Sequence, residues 1–211
     1  MSVVALLLVL LHLAGVPAPA PPAVAGHYVL ENAHEMGSEL VLKPDGQFDY
    51  MMVYGAADYH ATGKWHVAGE TVVLNSKLAE GAPFKLQRSA DLRSPDLRVW
   101  ITGLNGKGVA NLDVTMTAAE GESKARTDRD GMALFPGVSN PKSVVVHVPV
   151  YDKDSGAIAV NSSHTDFYIE LNGDAITTVP FRGEVLKING DALEMLYWDK
   201  SKPMVYRKQG N

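Results

Sequence analysis

From Gly26 onward the apolar positions of this chain mostly alternate with polar ones, and Gly, Pro, Asn or Asp keeps interrupting the alternation. A period of two puts successive side chains on opposite faces of an extended backbone, so the pattern predicts strands joined by turns, with no long helix. Leu40-Val41-Leu42 runs into Lys43-Pro44-Asp45-Gly46, where proline presets φ and Asp-Gly accepts a tight bend. Phe48, Tyr50, Met52 and Tyr54 then share one face of the returning strand. On the next strand Ala61, Gly63, Trp65 and Val67 are expected to point inward, and His60, Thr62, Lys64 and His66 outward. Ala68-Gly69 turns the chain into Thr71-Val72-Val73-Leu74.

A similar device returns near the C-terminus. Leu186 and Ile188 precede Asn189-Gly190, a strong two-residue hairpin signal, and Leu193, Met195 and Tyr197 follow it. Between the two hairpins, residues 89–172 have a different character. Leu97, Val99 and Ile101 lie on one face, Asn105-Gly106 turns, and Leu112, Val114 and Met116 alternate with polar residues. Val144, Val146, Val148 and Val150 predict a half-buried strand with His147 on its other face, and 167–171 predicts another. This stretch reads as a second sheet system.

Val114-Thr115-Met116 followed by Ala125-Arg126-Thr127-Asp128-Arg129-Asp130-Gly131-Met132-Ala133-Leu134-Phe135 resembles the V-x-V and T-D-x-D-G-x-A-x-F pattern of carboxypeptidase-regulatory-like domains. These and the related prealbumin-like domains are β-sandwiches of bacterial envelope proteins. The resemblance implies a small Greek-key sandwich that is usually non-catalytic. Tyr28 to Leu74, with L-x-L-x-P-D-G-x-F-x-Y and G-x-W-x-V-x-G-x-x-V-x-L, is similar to the opening strands of small lipocalin-like barrels in exported bacterial proteins. Leu186 to Arg207 resembles the last strands of the same barrels. The expected fold class is all-β, a small lipocalin-like barrel or meander plus an Ig/prealbumin-like β-sandwich. The expected division is a signal peptide at 1–25, a barrel segment at 26–88, an inserted sandwich at 89–172 and a barrel-completing segment at 173–211. Two sequential domains, the last hairpin belonging to the second, form the alternative.

The N-terminal segment sets the expected location. Val3 to Leu13 is an almost unbroken apolar run, too short to span a bilayer as a helix and about the length of a signal-peptide core. Pro17, Pro19, Pro21 and Pro22 stop a helix, and Ala23-Val24-Ala25 supplies a small-x-small cleavage pattern before Gly26. The n-region, Met1-Ser2, is unusually short for a signal peptide, and a retained anchor is the alternative. The reading is a periplasmic or secreted protein with no membrane span in the mature chain.

Composition narrows the chemistry. The chain has 211 residues, a formal net charge of -5 and no cysteine. A disulfide scaffold, a Cys-ligated metal and a thiol nucleophile are therefore excluded. A mildly acidic balance without a run of Lys and Arg argues against a nucleic-acid partner. His60 and His66 share a strand face with Asp58 nearby, but residues six apart on a strand are about 20 Å apart and cannot hold one ion alone. His27 and His34 lie close in sequence to Glu31 and Glu35 and fit a polar cluster or loop residues equally. Ser162-Ser163-His164-Thr165-Asp166 has the residue types of a triad in a merely local cluster. Asp152-Lys153-Asp154-Ser155-Gly156 fails the calcium-loop spacing, and Asp128 and Asp130 beside Gly131 are accounted for by a turn. Asn161-Ser162-Ser163 is a glycosylation sequon if the source is eukaryotic.

No metal site, catalytic residue or cofactor is assigned. The candidate ligand-binding residues are Tyr28, Phe48, Tyr50, Met52, Tyr54 and Trp65, lining a barrel interior that is either packed or open to one small apolar ligand. The leading expectation is an exported, non-catalytic binding or envelope interaction module whose partner is a protein or small-molecule ligand. Two other classes stay open: a carrier or sensor of a small apolar ligand held in the barrel, and a hydrolase or metal-dependent enzyme with a dispersed site.

Overall fold

The computed structural model describes residues 23–210, so the expected signal segment lies outside the described residues except for its last three positions. The chain opens with a five-strand meander: β1 (Gly26–Leu30), β2 (Met36–Leu42), β3 (Gln47–Tyr54), β4 (Ala57–Ala68) and β5 (Thr71–Ser76). It continues through β6 (Phe84–Ala90), β7 (Leu97–Gly103), β8 (Asp113–Ala118), β9 (Gly121–Arg126), β10 (Met132–Phe135) and β11 (Pro141–Val148). Two short strands follow, β12 (Lys153–Asp154) and β13 (Ile158–Ala159), then β14 (Asp166–Leu171) and the single helix turn α1 (Gly173–Thr177). β15 (Arg182–Asn189), β16 (Ala192–Met195) and β17 (Met204–Lys208) complete the described chain.

The protein is all-β and contains a closed barrel of eight antiparallel strands in the order β1-β17-β16-β15-β5-β4-β3-β2. Alternation explains its filling. Leu40, Leu42, Phe48, Tyr50, Met52, Ala61, Trp65, Val72, Leu74, Leu186, Leu193, Met195 and Tyr206 all point inward and are buried. Removing each large side chain from water favours the closed state by about 1.5–3 kcal/mol before entropy is counted. β4 shows the other half of the pattern, with Thr62, Lys64 and His66 exposed on the outer wall.

The strands between β5 and β15 form two further sheets, β10-β7-β14-β6 and β12-β11-β8-β9, with β13 also paired to β11. They share one core, in which Val99, Ile101, Phe167 and Ile169 of the first meet Val114, Met116, Val144 and Val146 of the second. The Thr127 to Phe135 motif folds as a locked turn. Asp128 Oδ1 accepts the backbone N–H groups of Asp130 and Met132, while the buried Thr127 hydroxyl donates to Val109 O and accepts from Leu112 N. At Gly131, φ is +80° and a Cβ would fall 2.2 Å from Ile101 O, so only glycine fits.

Several expectations need correction. Tyr54 has the parity of Phe48, Tyr50 and Met52 but lies at the last position of β3, 55% exposed, because the wall ends there. Val67 is likewise exposed at the end of β4. Val150 is outside β11, in a 3-10 turn at Pro149–Tyr151. The last hairpin turns through Gly190 and Asp191, with Asn189 still paired to Ala192, a shift of one residue from the Asn-Gly reading. The turn expected at Asn105-Gly106 is present: Gly106 N donates to Gly103 O and Gly103 N to Lys107 O, and the chain runs back antiparallel along the end of β7 before entering β8 in the other sheet. Residues 84–88 pair through β6 with β14 and not with a barrel strand.

A groove at the barrel mouth

Strand polarity gives the barrel two different ends. At the lower end Val24 and Ala25 pack against the core, the Tyr28 hydroxyl donates to Val24 O at 2.7 Å, and the Trp65 indole donates to Lys43 O at 3.0 Å. At the upper end the chain leaves β5 and re-enters at β15, and here the return segment folds inward. Val179 N donates to His60 O and Ser76 N to Phe181 O, so Val179 and Phe181 are pinned across the top of β4 and β5. Both are buried among barrel residues.

The same end carries the β1–β2 loop, 31–35, and the β16–β17 loop, 196–203. Between them lies a groove of about 660 Å³, within the range of small-molecule sites. Its floor is Leu30, Met36 and Met204, which pack on the barrel core, its wall is Trp198, and its rim carries Glu31, His34, Asp199 and Lys202. The two loops are held firmly. Glu31 N donates to Val205 O at 2.9 Å, and Arg207 pairs with Glu31 at 2.8 Å. Asp199 accepts from the Ser201 hydroxyl and backbone N–H, which holds its carboxyl below the usual range.

Beneath the groove is a buried polar network. The Trp198 indole N–H donates to the Tyr50 hydroxyl at 2.9 Å. Tyr206 OH lies 2.9 Å from Ser38 Oγ and 3.5 Å from Tyr50 OH, and Ser38 donates to Met51 O at 2.7 Å. Burial pushes the Tyr50 and Tyr206 hydroxyls well above the ordinary tyrosine value, so both remain protonated donors. An aromatic chain crosses the same end. Tyr151, which follows β11, meets Tyr59, and the contacts run on through Trp198, Tyr197 and Phe181 to Tyr50, with successive centroids 4.9–5.5 Å apart. A second cleft of about 290 Å³ lies on the far side of Trp198, lined by Tyr59, Tyr151, Ile176 and Pro180 among others.

The six candidate residues therefore do not line an open interior. Tyr28, Phe48, Tyr50, Met52 and Trp65 are packed into the core, Tyr54 is on the surface, and only Tyr50 reaches the network under the groove. Sequence reasoning missed Trp198, Ser38 and Tyr206. Ser38 had a readable signal, a polar residue at the inward parity of Leu40 and Leu42. Trp198 had none, because it stands in a loop beyond the last paired residue of β16.

Other polar clusters are less convergent. His60 Nε2 lies 3.3 Å from Asp174 and 3.4 Å from the Thr178 hydroxyl, in a cleft of about 380 Å³. The Thr177 hydroxyl stands 3.4 Å from His60 Nδ1, but it donates to Gly173 O at 3.1 Å and Asp174 is exposed, so the group lacks the oriented hydroxyl, imidazole and carboxylate relay of a triad. Asp166 is buried, paired with Arg98 and bonded by Trp100 and Thr165, as a staple between β7 and β14. Arg98 Nε lies 2.8 Å from Asp166 Oδ1 but is off axis for a hydrogen bond, so the Nη2 donation at 2.9 Å carries the contact. Among the described residues, no three His, Asp or Glu side chains converge to hold a metal ion, and no helix is long and apolar enough to cross a membrane.

No family model, curated protein or solved structure matches the chain. Its class is therefore defined by geometry alone: an all-β protein on a closed eight-stranded antiparallel barrel, with two further sheets carried between barrel strands five and fifteen of the chain order.

Proposed function

We propose that this is an exported, non-catalytic binding module, a lipocalin-like barrel interrupted by a prealbumin-like sandwich, and that it binds one small amphipathic molecule at the barrel mouth. The observation that carries the reading is the groove between the β1–β2 and β16–β17 loops, with an apolar floor and a charged rim. A packed interior leaves the mouth as the place where an apolar body is taken out of water. The rim charges, Glu31, His34, Asp199 and Lys202, suit a ligand whose outer end stays wet. The short apolar run Val3 to Leu13 and the Ala-Val-Ala pattern support export to the periplasm or exterior.

The test is titration with the neutral fluorescent probe N-phenyl-1-naphthylamine. Met36→Asp puts a charge on the groove floor and is expected to abolish binding, whereas Leu78→Asp, at an exposed position outside the groove, leaves it unchanged. Equal binding by the two variants would sink the proposal.

A further inference from the structure

We infer that the Tyr50 hydroxyl is the inner polar contact of the ligand seat, that Trp198 is the gate above it, and that the ligand bears a neutral hydrogen-bond acceptor, such as a ketone, ester or amide carbonyl, at the inner end of its apolar body. This rests on the mouth-groove reading and goes a layer deeper.

Ser38 has one hydroxyl proton, and its geometry directs that proton to Met51 O at 2.7 Å. Ser38 Oγ therefore accepts at its 2.9 Å contact with Tyr206, which commits the Tyr206 proton. The Tyr50 oxygen accepts the indole N–H of Trp198 at 2.9 Å. The other contact of the Tyr50 hydroxyl, at 3.5 Å, has Tyr206 on the donor side and lies far beyond the 2.7–2.8 Å at which hydroxyl pairs usually settle, so it gives the Tyr50 proton no good acceptor. Tyr50 is only 3% exposed, so this is a buried donor with a poor acceptor, an arrangement that costs free energy until a better partner arrives.

Trp198 controls whether one can arrive. Its ring forms the wall between the 660 Å³ groove and the 290 Å³ cleft and covers the Tyr50 hydroxyl. Swinging the indole aside gives up one hydrogen bond and the Tyr59 contact, and joins the two spaces over Tyr50. The chemistry of the network then selects the ligand. Its members are two phenols, a serine hydroxyl, an indole and a backbone carbonyl, with no cation. An ionised carboxylate would be buried there without a counter-charge, while a neutral carbonyl would take the Tyr50 proton without that penalty.

The experiment measures retention of 2-nonanone and of n-nonane by the full chain, using headspace gas chromatography over protein solutions. Tyr50→Phe is expected to weaken ketone retention roughly five- to tenfold relative to the wild type, the worth of one neutral hydrogen bond in a dry site, and to leave the alkane where it was. Trp198→Phe, which keeps an aromatic wall but removes the N–H that ties the gate to the Tyr50 oxygen, should raise ketone affinity. An unchanged ketone affinity in Tyr50→Phe overturns the inference and leaves the groove reading standing. An unchanged ketone affinity in Trp198→Phe overturns the gate. Binding of neither compound by the wild type overturns the groove reading and this one with it.

Discussion

At Gly63 a Cβ would lie 2.0 Å from the carbonyl oxygen of Asn75 and 2.9 Å from a ring carbon of Phe48, so β4 and β5 are drawn together at a point where only hydrogen fits. Gly63→Ala is therefore expected to lower stability by about 2 kcal/mol or more, read as a lower urea midpoint. Ser38→Ala removes the acceptor of Tyr206 and should cost about 1–3 kcal/mol in the same assay. The buried phenols also predict a pH dependence. Their folded-state values are raised above the unfolded value near 10, so the folded chain holds more protons once the unfolded chain begins to ionise. Their contribution is present below about pH 10 and falls as pH rises beyond it. Absorbance titration at alkaline pH should show two tyrosines that ionise only with unfolding. Inward residues such as Phe48, Tyr50, Met52 and Trp65 were legible because parity alone decides which face they take. Tyr54 was not, because parity carries no information about where a wall stops.

Among the elements, the return segment ahead of β15 and the β16–β17 loop do most to shape the mouth. Phe181 packs against Phe48, Tyr50 and Tyr197. Phe181→Ala is expected to cost about 3–5 kcal/mol in urea unfolding and to loosen the loop that presents Trp198, visible as a red-shifted tryptophan emission. Asn172, the N-cap of α1, accepts from Ala175 N and donates to Glu80 O, tying the exit and return segments together. Asn172→Ala should cost about 1 kcal/mol by the same measurement. The strands were legible as alternation and the Lys43 to Gly46 turn as turn chemistry. The mouth was not, since Val179, Phe181 and Trp198 act from irregular segments, where no period reports which side chain is buried.

For the whole molecule, the two ends of the inserted stretch meet. Ser76 N donates to Phe181 O at 2.8 Å, although the two residues are far apart in sequence. Replacing residues 78–178 by a short Gly-Ser linker is expected to leave a barrel that unfolds cooperatively in urea with strand-type circular dichroism; a chain without a cooperative transition would refute a self-sufficient barrel. The all-β class could be read from periodicity. The closure of the barrel was expected only from the resemblance of Leu186 to Arg207 to the last strands of small barrels; periodicity does not encode the pairing of Tyr28 with Lys208.

That last pairing also imposes an order in time. The wall is shut by β17 against β1, so it cannot close until residues 204–208 have been synthesised, whereas the two middle sheets are complete once Leu171 has emerged. The second-made part can fold first, while the opening five strands wait with the free edges of β1 and β5 exposed. Open edges are sites of mispairing between chains, so the hazardous interval for this protein falls before its last strand is made. A stop codon just ahead of Met204 would make that interval permanent, and the expected product is an aggregate rather than a slightly shortened barrel.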